Sequence, residues 1–145
     1  VRIAVLISAL MIGVSTSANA EDKYICAADS SVGFAYNQLT QTWNNASFNS
    51  EARYVVSEPG ESEESEYVIT EIGQQFPDGF CKNGFNEYGF LHCNTIGGSF
   101  KFNRNTGRYL LAYHFGYYSV PKEDLGTVEE GNNTPYIEIG TCSPF

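Results

Sequence analysis

Apolar and polar residues alternate in short runs along this chain, and turn-forming residues separate the runs. The longest regular pattern spans residues 98–115. Phe100 and Phe102 alternate with Ser99, Lys101 and Asn103. After the turn residues Asn105, Thr106 and Gly107, Tyr109, Leu111, Tyr113 and Phe115 share one face, with Leu110, Ala112 and His114 on the other. This predicts a long β-hairpin whose return arm, apolar on both faces, suits a central strand. Residues 116–120 are expected to prolong that arm past a glycine kink, with Tyr117 on the face of Tyr109 and Tyr113.

Further strands are predicted at Tyr24–Ala28, Gly33–Asn37, Trp43–Phe48, Ala52–Val56, Tyr67–Ile72, Tyr88–Cys93 and Pro135–Cys142. A helix over 35–43 competes poorly, because Thr and Asn are frequent there and no long apolar stripe runs through it. In the last strand Ile137 and Ile139 share one face and Tyr136, Glu138 and Cys142 the other. An ordinary amphipathic reading puts Glu138 on the solvent side.

These elements make an all-β chain. The expected fold is a small antiparallel meander barrel of about eight strands, stitched by disulfides, with a two-sheet β-sandwich as the alternative. A barrel in which the first strand pairs with the last has no open edges.

Residues 1–20 change the picture of compartment. One basic residue, an apolar run to Val14 and the closing Ala18-Asn19-Ala20 form a secretory signal peptide, with cleavage expected after Ala20. The apolar run is short for a membrane span, so no stable membrane insertion is expected after cleavage. Residues 21–145 then form a single domain, secreted or periplasmic. All four cysteines lie in that domain, an even number in an oxidising compartment. Three pairings exist. The favoured one joins Cys81 to Cys93 in a local loop and Cys26 to Cys142 as a clasp between the first and last strands.

The chain has 17 acidic and 8 basic residues and a formal charge of −9. That balance argues against a nucleic-acid partner and in favour of a basic protein partner. The acids cluster in two predicted loops, one with Glu61, Glu63, Glu64 and Glu66, the other with Glu129 and Glu130. Aromatic residues such as Tyr109 and Tyr113 are expected to pack the barrel or line an apolar cavity in it. The outer face at Leu110, Ala112 and His114 would suit a partner or a second copy.

Candidate chemistry is sparse. His92 and His114 are isolated in predicted strands, no Gly-x-Ser-x-Gly elbow or Cys-x-x-Cys pair occurs, and neither a metal nor a cofactor is expected. Among isolated carboxylates Glu138, set between isoleucines, is the best candidate for a function. The chain therefore reads as a binding or inhibitor module and not an enzyme. It would recognise a basic protein, such as a wall-degrading enzyme, through acidic loops. A carrier of a small apolar ligand and a structural envelope protein are the alternatives. In size, disulfide clasp and sheet content it resembles the small periplasmic β-barrel lysozyme inhibitors, a resemblance of architecture alone.

Overall fold

The computed structural model describes residues 22–60, 64–125 and 134–145. The expected signal peptide and Glu61, Glu63, Glu129 and Glu130 lie outside them. The strands are β1 (Tyr24–Asn37), β2 (Thr42–Phe48), β3 (Arg53–Ser57), β4 (Tyr67–Glu71), β5 (Gly79–Cys81), β6 (Phe90–Thr95), β7 (Gly98–Asn103), β8 (Arg108–Tyr113) and β9 (Tyr136–Pro144). All pairings are antiparallel, and β9 returns to β1, so eight strands close a meander barrel. The sandwich alternative is thereby set aside.

The ninth strand, β2, is an addition. The two predicted strands at 24–28 and 33–37 are one long strand, with a register shift between Ala28 and Ser30 where Asp29 interrupts the ladder. Its first half pairs with β3, and beyond the shift its second half pairs with β2 on the same side. The β1–β2 hairpin therefore extends past the barrel's rim. We call that rim, where β8 also ends, the upper end.

Inward parity is set by the disulfides. Cys26 pairs directly with Cys142 across β1 and β9, and Cys81 joins Cys93 between β5 and β6. All four sulfur-bearing side chains are buried. Around them pack Val56, Ile69, Leu91, Phe100, Phe102 and Leu111, with Tyr109 stacked on Phe100 at 5.0 Å. The lower end is closed by Tyr24, Tyr67, Phe85 and Phe102, whose rings meet edge to face or tilted. Arg104 lies 4.8 Å from the centre of the Phe85 ring.

Two glycines permit this packing. Gly107 turns the β7–β8 hairpin at φ +67°. At Gly140 a β-carbon would stand 2.3 Å from the Ala27 carbonyl oxygen and 2.4 Å from the Tyr109 ring, so the ring occupies space that only glycine leaves.

One expected strand is a helix. Residues 115–119 form a short helix, α1 (Phe115–Ser119), instead of prolonging β8. The reason lies in the partner strand. Pairing of β8 with β9 ends at Tyr113 and Tyr136, and Pro135, which precedes Tyr136, has no N–H to extend the ladder. Left without a ladder, the chain closes a local turn, and Pro121 forces Val120 back to extended geometry. Phe115 and Tyr117 are consequently exposed, away from the face of Tyr109.

Candidate functional site

The last strand is turned inside out relative to the amphipathic expectation. Glu138 faces the barrel interior with only 3% of its surface exposed, while Ile137 and Ile139 face solvent at 50% each. This corrects the solvent-side reading of Glu138. Because Cys142 must reach Cys26 in the interior, alternation along β9 takes Gly140 and Glu138 inward with it.

Outside, β9 forms the middle of an apolar wall. Ile137 lies beside Val32 of β1 and Ala112 of β8, and Ile139 beside Leu110. Val32, Phe34 and Leu110 are all exposed. Because the β1–β2 hairpin overhangs this wall, its upper part is a groove of about 690 Å³, lined by Val32, Phe34, Ala46, Ala112, Tyr136 and Ile137 among others. At the lip Tyr36 packs on Trp43, and Trp43 on Tyr117 of α1, each at 5.4 Å. The expected outer face of Leu110, Ala112 and His114 is part of this surface. On the neighbouring β6 and β7 the exposed His92, Asn94 and Lys101 are polar, while the exposed Phe90 of β6 lines a shallow hollow together with Leu110 and Ile139.

Inside, a second hollow of about 260 Å³ opens at the upper end. Its lining includes Glu138, Glu71, Ser31, Tyr54, Tyr136 and Phe48. The Tyr109 hydroxyl donates to Glu138 Oε1 at 2.9 Å, and Tyr54 supplies a second side-chain hydrogen bond to the carboxylate. Among the described residues no lysine or arginine lines the hollow. Burial pushes the Glu138 carboxyl above its ordinary value of 4.5, outweighing the two tyrosine hydrogen bonds, which pull it down; Glu71 pushes it further up. Tyr54 and Tyr109 are raised in turn, first by burial and then by Glu138.

A stability consequence follows, with a definite sign. A carboxyl whose folded-state pKa is raised stabilises the fold below its unfolded value, and that contribution is lost as pH rises through the folded value. Glu138→Gln removes the charge while keeping an acceptor for Tyr109. It should therefore be more stable than the parent protein at pH 7, by on the order of 1 kcal/mol, and the gap should close near pH 3.5. Denaturant unfolding at the two pH values checks this. A variant less stable than the parent at pH 7 would mean that the tyrosine hydrogen bonds outweigh the cost of burial.

Of the acidic loop residues singled out from sequence, only Glu64 and Glu66 lie within the described residues. Glu64 and Glu66 are exposed in the β3–β4 connection, at the lower end, where the Glu66 carboxylate accepts from the Gly84 N–H at 2.8 Å. Glu129 and Glu130 belong to the β8–β9 connection, which leaves the barrel at the upper end. Of the two tyrosines, Tyr109 is buried in the core. Tyr113 is half-buried, stacked on Tyr136 at 5.6 Å, and lines the groove. Sequence patterning alone does not single out Tyr54, Ser31 or Tyr136, and it ranks Glu71 behind Glu138 among the isolated carboxylates. The available signal was parity: Glu71 shares the face of the inward Tyr67 and Ile69.

Among the described residues no group of three His, Cys, Asp or Glu side chains is placed to hold a metal ion, and all four cysteines are in disulfides. No described helix is long and apolar enough to cross a membrane. In comparisons with known proteins no family model matched the chain, and neither a curated protein nor a solved structure gave a significant match.

Proposed function

We propose that this protein is an exported, non-catalytic binding module that docks a basic protein on the outer wall of β1, β9 and β8. A wall-degrading enzyme is one such target. The observation that carries this reading is the inversion of β9, which leaves two isoleucines in water next to Val32 and Phe34 while a carboxylate is buried. Water-exposed apolar walls of this kind, with a concave centre, are what partner surfaces look like. The sign of the partner comes from charge. The chain carries −9, and Glu123 and Asp124 are exposed in the 3-10 turn that follows α1. Two disulfides accord with an oxidising compartment outside the cytoplasm.

The β3–β4 and β8–β9 connections start from opposite ends of the barrel, and the outer wall lies between them. The apolar wall supplies contact and the upper acids supply steering. A second reading is favoured by one feature: about 690 Å³ is a volume that a small apolar ligand can occupy. In that case the carrier site is the outer groove and not the barrel's interior.

Affinity capture separates these readings. The disulfide-intact mature chain is immobilised and exposed to envelope and host secretory extracts. One basic protein should be retained at low salt, released at high salt, and lost with Ile137→Asp and with Phe34→Asp. Both side chains are about half exposed, so these substitutions should change stability by no more than about 0.5 kcal/mol. Identical capture by parent and variants would sink the docking proposal. Saturable binding of an apolar dye at the groove without protein capture would favour the carrier.

A further inference from the structure

We propose that the hollow above Glu138 is a binding site for a primary alkylammonium group. Four observations point there. The carboxylate is held inside the barrel, 3% exposed, with its position set by Tyr109 and Tyr54. A second carboxylate, Glu71, lines the same hollow and is only half-buried. The remaining walls are aromatic and small polar groups: Tyr136, Phe48, Tyr54 and Ser31, with the Phe48 and Tyr136 rings 6.1 Å apart. Finally, among the described residues no cationic side chain lines the hollow to neutralise either acid.

A buried carboxylate without a cationic partner is costly, and replacing it by an uncharged group is commonly favourable. Retaining one at the bottom of a solvent-connected hollow makes sense where a ligand brings the missing positive charge. The walls select the kind of cation. Aromatic faces attract an organic ammonium and suit the methylene chain behind it. A metal ion would want several more oxygen ligands than two carboxylates offer. A volume of about 260 Å³ admits a chain of a few methylenes with its ammonium head and excludes a large ligand. The head would lie against Glu138, with Glu71 drawing it in from the rim.

The site lies on the other side of β9 from the outer wall, since Ile137 and Glu138 face opposite sides of the strand, and among the described residues Tyr136 alone borders both hollows. Its failure would leave the docking proposal untouched.

The test uses the mature, disulfide-intact chain and isothermal titration calorimetry at pH 7.5 and constant ionic strength. The probes are butylammonium chloride, Nα-acetyl-lysinamide, tetramethylammonium chloride and sodium chloride. The first probe stands for a free amine and the second for a protein lysine. Saturable binding is expected for at least one of these two, with tetramethylammonium at least tenfold weaker and sodium silent. Binding only of butylammonium identifies a free amine as the source, and binding of Nα-acetyl-lysinamide as well identifies a lysine side chain as an acceptable one. Glu138→Gln should weaken binding at least tenfold, Glu71→Gln about threefold, and Ile137→Asp not at all. Should Glu138→Gln fail to fold, Glu71→Gln and Phe48→Ala decide the matter, and each must weaken binding. No saturable heat from either primary amine overturns the proposal. So does equal affinity in the parent and the glutamine variants.

Discussion

Replacing Cys26 and Cys142 together by alanine is expected to lower the unfolding free energy by about 4–5 kcal/mol. The two residues are 116 positions apart, so the bond removes a large loop-closure entropy from the unfolded chain. They also lie directly opposite one another where β1 meets β9, the seam at which the barrel closes. The same change at Cys81 and Cys93, only 12 positions apart, should cost roughly 3 kcal/mol. Guanidinium unfolding of the two double variants measures both. The larger loss must belong to the clasp. A larger loss at the local bridge would show that native packing around β5 and β6, and not chain entropy, dominates.

Phe100→Ala is expected to cost about 3–5 kcal/mol, as for other fully buried phenylalanines. Phe100 has no exposed surface, and its ring is stacked on Tyr109 at 5.0 Å and set edge-on to Tyr54 at 6.3 Å. Those two tyrosines hold Glu138. A cavity below them should therefore loosen the carboxylate as well as the core. Carboxyl carbon-13 titration of the variant should move Glu138 further above 4.5, because the tyrosine hydrogen bonds that lower it are weakened, even under conditions where the barrel remains folded. A stability loss below about 1 kcal/mol would mean that the hairpin's aromatic layer collapses to fill the space, contrary to the rigid stack described.

Much of the fold is legible in the residues themselves. Phe100, Phe102, Tyr109 and Leu111 have period-two spacing, and all four are buried core. The pairing of Cys26 with Cys142 agrees with the wish of a meander to close on itself. Two features resist reading for physical reasons. Residues 115–119 carry a strand-like composition, yet a strand needs a neighbour, and β9 begins too late in the chain to provide one. Glu138 between two isoleucines reads as solvent-facing whenever hydrophobicity alone assigns the faces. Alternation from Cys142 gives the opposite answer, and the disulfide makes that answer binding. The rest of the hollow is harder still. Ser31, Tyr54, Glu71 and Glu138 come from four strands, and only closure of the barrel brings them to one place.

Function was the least legible layer, because most of the acidic residues that draw the eye lie outside the described residues, whereas the apolar wall is assembled from strands far apart in sequence. The central claim is that this wall is a partner surface. Photo-crosslinking tests it most directly. Benzoylphenylalanine is placed at position 137 on the wall and, as a control, at position 70, whose side chain lies on the outer face of β4. Each protein is irradiated in envelope and host secretory extracts. The account predicts one salt-sensitive adduct with a basic protein at position 137 and none at position 70. Adducts at position 70 alone, or at neither position, would contradict it.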